Sequence, residues 1–214
     1  RDVAPSRGLG DVYKRQVRTG KSTFIKRFMD VAVLPYMEDA AQKTRAQDEL
    51  PQSAGGRTIT TTEPKFIPQE AVELKLAGEV TIRVRLVDCV GFMVEGAAGH
   101  LEDGAERLVK TPWYDHEIPF TQAAELGTRK VITDHSTIGV VVTTDGSFSD
   151  LPQETYLDAE NQAISELKKL HKPFLVLVNS SHPSSRTARE AAERIEKQLS
   201  LIHISEPTRR SYIS

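Results

Sequence analysis

The chain has 214 residues, a formal net charge of −2, 27% charged side chains and one cysteine, Cys89. The balanced charge argues against a broad nucleic-acid surface. A single thiol excludes an internal disulfide framework and suits a reducing cytosol. No apolar run approaches the roughly 20 residues of a membrane-spanning helix.

The two ends read as foreign. One back-translation of Asp11 to Gln16 is GATGTGTATAAGAGACAG, whose reverse complement encodes Leu-Ser-Leu-Ile-His-Ile, the string at Leu199 to Ile204. Ser205 to Arg209 continues as the rest of such an adapter would. Residues 1–16 and 199–214 are therefore expected to be adapter-derived, not native, leaving 17–198 as one natural domain truncated at its N-terminus.

Within that domain, Val17 to Ser22 is a short turn-forming stretch. Ser22 to Val33 has a helical pattern with Phe24, Ile25, Phe28, Val31 and Ala32 on one side, ended by Pro35. Met37 to Leu50 is polar and helix-forming, and Pro51 to Arg57 is a loop with Gly55 and Gly56. Lys65 to Ile67 and Val72 to Leu76 read as strands, and Val80 to Val87 alternates as a strand. Asp88 to Gly104 is glycine-rich and loop-like, Trp113 to Phe120 is irregular between prolines, and Gln122 to Asp134 is a helix. Thr137 to Thr143 is an apolar strand stopped by Asp145-Gly146. Glu154 to Leu170 is an amphipathic helix, Phe174 to Val178 a buried-type strand and Arg186 to Gln198 a final helix. Apolar strands alternating with helices predict an α/β fold: a mostly parallel sheet with helices on both faces and its sites at the carboxyl ends of the strands.

Three segments carry chemistry. Gly20-Lys21-Ser22-Thr23 opens a helix and matches the end of a phosphate loop, G-x-x-x-x-G-K-[ST]. Backbone N–H groups at a helix N-terminus attract an anion, Lys21 adds a positive charge for the terminal phosphates, and the Ser22 hydroxyl can ligate magnesium. A surface turn before a helix has the same four residues. The first loop glycine belongs at position 15, which holds Arg15. The natural chain is expected to carry glycine there, and the strand that precedes a phosphate loop is expected to be lost by truncation. Downstream, Leu86-Val87-Asp88-Cys89-Val90-Gly91 is an apolar strand ending in Asp-x-x-Gly. Asp88 would hold magnesium through a water, and Gly91 would present its N–H to the terminal phosphate. Between them, Thr58 to Pro64 is threonine-rich. Thr61 and Thr62 are candidates to contact magnesium and orient the attacking water, although such threonines also suit a strand edge.

After the last strand the chain reads Asn179-Ser180-Ser181-His182, where guanine-specific switch proteins carry Asn-Lys-x-Asp. A histidine cannot accept the pair of hydrogens that the aspartate takes from guanine, so ATP is expected rather than GTP. Cys89 reads as a small core residue, the histidines lack metal spacing, and Trp113 and Tyr114 read as packing residues.

Longer strings carry a family resemblance. They are Val17 to Lys26, Arg45 to Ser53, Thr61 to Phe66, Arg85 to Gly91, Thr111 to Tyr114, Gly127 to Ile132 and His135 to Val140. In order and over nearly all of residues 17–198, the chain resembles the ATPase domain of the stage IV sporulation protein A family. The resemblance implies a translation-factor-related P-loop NTPase that binds ATP and Mg2+. It implies hydrolysis that drives polymerisation of a spore-coat basement layer around the forespore, on the cytoplasmic, mother-cell side. It implies nucleotide binding by Val17, Arg18, Thr19, Gly20, Lys21, Ser22, Thr23 and Gly91. Catalysis would involve Lys21, Thr61, Thr62 and Asp88, and the metal would be held by Ser22, Thr62 and Asp88. Implied partners are further copies of the protein, a small amphipathic membrane-anchoring peptide and other coat proteins, the last two through regions outside this chain. No nucleic acid is implied. The alternatives are a GTPase switch of the same class and a structural coat protein without catalysis.

Overall fold

The structure is a computed structural model and describes residues 19–51, 64–75, 80–94, 101–102, 105–147 and 152–199. The first helix, α1 (Lys21–Phe28), runs on through a π-helical turn (Met29–Val33) and a 3-10 turn (Leu34–Tyr36). The π turn re-aims the apolar face. Its i→i+5 bonding winds more loosely, so positions four apart stay aligned. Ile25, Met29 and Val33 are buried, whereas Val31, expected on the inner side, is 62% exposed. Asp39 caps α2 (Ala40–Asp48) by accepting from the amides of Ala41 and Gln42 at 2.8 and 3.1 Å. Those bonds, Gln42's first, hold its carboxyl below the usual pKa and satisfy two orphan helix donors.

The two strands expected within residues 65–76 are one, β1 (Lys65–Lys75), paired antiparallel with β2 (Thr81–Asp88). The register shifts between Ile67 and Val72, around Pro68, which has no N–H to give the ladder. Helix α1 and the turns after it pack Ile25, Met29, Val33 and Leu34 against Ile67, Val72 and Leu74, with half-buried Val84 and Leu86 alongside.

Next come a minimal antiparallel pair, β3 (Leu101–Glu102) and β4 (Ala105–Glu106), and a hairpin, β5 (Leu108–Thr111) and β6 (Tyr114–Pro119). The hairpin replaces the irregular segment expected from its prolines. Pro112 lies in the turn and Pro119 ends the strand, positions where a missing donor costs little. Helix α3 (Phe120–Lys130) follows at once and passes into a second π-helical turn (Val131–His135). The Lys130 ammonium lies 5.8 Å from the centroid of the Trp113 ring, linking this helix to the hairpin turn.

The last part is a parallel unit: β7 (Gly139–Thr144), α4 (Leu157–Lys169) and β8 (Phe174–Asn179), in register from Gly139↔Phe174 to Thr144↔Asn179. Leu167 of α4 packs with Phe92, Ile132 and half-buried Val141 and Phe174. Helix α5 (Arg186–Leu199) is tied to α4, where Arg194 Nη1 and Nη2 reach Glu160 Oε1 and Oε2 at 2.8 and 3.2 Å. The Glu160 side chain is 2% exposed and that of Arg194 31%. Arg194→Ala strands a buried carboxylate, so a stability loss of about 3 kcal/mol is expected, read from the urea midpoint. The paired change Glu160→Leu with Arg194→Met is expected to be nearly neutral, because both charges leave together. Equal losses in the two variants would contradict this account.

The sheet differs from the expected one. Among the described residues there are four two-stranded sheets, of which only β7–β8 is parallel. The connections explain this. A short link joins β1 to β2 and favours antiparallel pairing, whereas the helical crossover through α4 allows a parallel pair. Val140 and Leu175, neighbours in register on the face away from Val141, are 40% and 59% exposed, whereas Val142 and Leu177 on that face are half-buried.

Candidate nucleotide-binding site

Gly20 caps α1 in the left-handed region, with φ of 90°, and its carbonyl accepts the first helical bond from Phe24 N at 2.8 Å. Among the described residues no side chain caps this end, and its first turn has no acidic residue. The first amides of a helix have no intrahelical partner, and such an end suits an anion.

The end of β2 meets this turn. Asp88 Oδ1 lies 3.2 Å from Lys21 Nζ, and the Ser22 hydroxyl donates to Asp88 Oδ2 at 3.1 Å. The ammonium, the hydroxyl and the carboxylate predicted from two segments 66 residues apart thus converge. Asp88 Oδ1 is shielded from solvent and, beyond its ion pair with Lys21, accepts no hydrogen bond. Two hard oxygens with spare lone pairs fit Mg2+, which takes one or two protein ligands and completes its shell with water and phosphate. Among the described residues no three or more His, Cys, Asp or Glu side chains cluster as a metal cage.

The end of β8 approaches from another side. Asn179 Nδ2 donates to the Thr19 carbonyl at 3.0 Å, and the Asn179 amide fills the space that a Cβ on Gly20 would need. Asn179 was legible only as the first residue of an incomplete base motif. Its hold on the Thr19–Gly20 turn comes from the adjacency of strand ends, which no local pattern records. Beyond it, Ser180 Oγ donates to Asp145 Oδ2 at 2.6 Å, Ser147 N donates to Asp145 Oδ1 at 3.0 Å and His182 N donates to Ser180 Oγ at 3.0 Å. Burial opposes charge on Asp145, but the bonds from Ser147 and Ser180 outweigh it and keep its pKa below the ordinary carboxylate value.

Gly91, in the left-handed region with φ of 89°, has its N–H bonded to Thr128 Oγ1 at 3.1 Å. Thr128, on α3, carried no sequence signal as a site residue. Thr23 lies on the exposed side of α1, and Cys89 is half-buried. Val17, Arg18, Thr61 and Thr62 lie outside the described residues.

Comparison with known proteins places the chain in a family. The family profile described as stage IV sporulation protein A, ATPase domain, matches residues 1–206. The chain is 50% identical over 196 residues to stage IV sporulation protein A of Bacillus subtilis (strain 168), covering 89% of this chain and 40% of that protein. Against the proteins of the same name it is 49% identical over 197 residues for Bacillus anthracis and 48% over 195 residues for Clostridioides difficile (strain 630). Those matches cover 89% and 90% of this chain and 40% of each relative, so the chain spans well under half of their length. No solved structure matches. With its family profile matched over nearly the whole length, the chain belongs to the stage IV sporulation protein A ATPase-domain family.

Proposed function

We propose that this chain is the ATP-binding and hydrolysing domain of a self-assembling spore-coat scaffold, of P-loop type. The observation that carries the reading is the meeting of Lys21 and Ser22 with Asp88 at an uncapped helix N-terminus. In this reading the α1 amides and Lys21 bind the terminal phosphates. Mg2+, held by Ser22 directly and by Asp88 through a water, would neutralise charge that develops on the phosphate oxygens. Thr61 and Thr62 orient a water that attacks the γ-phosphorus as its bond to the bridging oxygen breaks, leaving ADP and phosphate. Val17, Arg18, Thr19 and Thr23 complete the cradle.

Adenine is favoured over guanine because the polar groups at the ends of β7 and β8 are committed to one another. Both Asp145 oxygens already accept hydrogen bonds, and His182 stands where guanine readers carry an acid. In this reading hydrolysis drives assembly with further copies around the forespore, on the mother-cell side, with a small amphipathic anchoring peptide and other coat proteins as partners. No helix among the described residues is long and apolar enough to cross a membrane.

The test is titration of the full-length protein with ATP and GTP, with and without Mg2+. ATP is expected to bind at least about tenfold more tightly than GTP, a few kcal/mol being the cost of an unmatched buried polar edge. Tighter GTP binding would revive the GTPase switch, and no magnesium-dependent affinity for either nucleotide would sink the whole reading.

A further inference from the structure

We propose that Thr128 is a positioning residue that holds the Gly91 amide until a terminal phosphate replaces it as acceptor. The inference rests on the nucleotide reading above and adds a residue and a state dependence to it. Thr128 is 5% exposed. The single proton of its hydroxyl goes to the Ala124 carbonyl one turn back, at 2.8 Å, so toward Gly91 its oxygen can only accept. The bond from Gly91 N at 3.1 Å is therefore assigned in direction by the helix itself.

The exchange is physically inexpensive on both sides. A phosphate oxygen is a charged acceptor, and charge-assisted hydrogen bonds are roughly twice as strong as neutral ones. A γ-phosphate would therefore outcompete a hydroxyl, whereas ADP offers no oxygen there. After the exchange Thr128 keeps its bond to Ala124, so no buried donor is orphaned. Gly91 can reorient, because among the described residues no heavy atom beyond its chain neighbours lies within 4 Å of the place a Cβ would take, and glycine crosses between positive and negative φ readily.

The consequence is a contact that differs between ATP and ADP. Gly91 lies three residues beyond Asp88 on one side, and Thr128 belongs to α3 on the other. This helix continues into the Val131–His135 π turn and meets the Trp113 ring through Lys130. A ligand shifts a conformation only as far as its affinities for the two states differ, and here the difference is one hydrogen bond.

The experiment compares the full-length wild type with Thr128→Val and Thr128→Ser. Affinities for the β,γ-imido analogue of ATP and for ADP are measured with Mg2+, and hydrogen exchange of the Gly91 amide is measured without nucleotide. Thr128→Val leaves that amide unsatisfied only where no γ-phosphate is bound. It is expected to tighten the ATP analogue by about threefold to tenfold, the worth of one neutral hydrogen bond, with ADP unchanged. Thr128→Ser is expected to match wild type. Gly91 protection is expected to be lost in the valine variant and kept in the serine variant. An unchanged ratio of ATP-analogue to ADP affinity in a valine variant that has lost protection overturns the hand-over. Equal protection in wild type and valine variant overturns the contact. A wild type that binds neither nucleotide overturns the nucleotide reading and the hand-over with it. That outcome is told apart because Gly91 exchange still follows residue 128.

Discussion

Lys21→Ala and Asp88→Ala are each expected to lower magnesium-dependent ATP turnover by roughly tenfold to a thousandfold, the range for removing one stabiliser of transition-state charge. The two act on one cluster, since Asp88 holds both Lys21 and Ser22 at 3.2 and 3.1 Å. Removing Lys21 takes away the only side-chain cation that touches Asp88 among the described residues. Removing Asp88 frees Lys21 and leaves the Ser22 hydroxyl without its acceptor. Because they share the cluster, the double variant is expected to lose less than the product of the single effects. Stability should move little in Asp88→Ala and somewhat more in Lys21→Ala, which leaves the shielded Asp88 Oδ1 without its partner. The pair is partly exposed, with side chains 30% and 19% accessible, and such pairs contribute about 0–1 kcal/mol. Turnover in the full-length protein and its unfolding midpoint, measured side by side, separate the two effects. Equal turnover in wild type and both single variants would remove the enzymatic claim and leave a structural coat protein.

Gly20→Ala should damage the same site through the backbone. Two independent obstacles meet there. A φ of 90° costs a residue with a Cβ about 1–2 kcal/mol, and the new methyl would collide with the Asn179 side chain. Asn179 would have to abandon its 3.0 Å bond to the Thr19 carbonyl. Together these are expected to weaken ATP binding by at least about tenfold, since 1.4 kcal/mol is a factor of ten. Asn179→Ala is the informative partner, because it clears the collision but leaves the φ strain. The double variant is therefore expected to recover part of the loss seen in Gly20→Ala, a positive coupling measurable by a double-mutant cycle on ATP affinity. Additive losses would show that Asn179 does not press on the loop, and an unaffected Gly20→Ala would remove the phosphate turn from the binding site.

Much of the candidate site was legible in the residue string, because its elements are local. Gly-Lys-Ser ahead of an amphipathic stretch and Asp-x-x-Gly after an alternating strand each need only a few neighbouring residues to be recognised. Their union at Asp88 follows from the strand-end rule for α/β proteins. The positions of α4, β8 and α5 were close to those expected, because each has a strong apolar period bounded by polar residues or turn formers. The misses share a different cause. Val31 turned outward because the π turn changed the winding of the helix, and no 3.6-residue count contains that change. The hairpin at β5–β6 was hidden by prolines that mark its turn and its end.

The amino-acid order alone determined the family strings, the Gly-Lys-Ser turn, the acid at the end of β2 and the missing guanine motif, since each is written in contiguous residues. Tertiary packing alone decided that Asn179 holds the turn, that Thr128 takes the Gly91 amide, and that antiparallel pairs outnumber the parallel one among the described residues. Hydrogen bonds between residues 37 or 160 positions apart depend on which strand ends and helix faces come to lie together. That is settled by burial across the whole chain rather than by any local pattern.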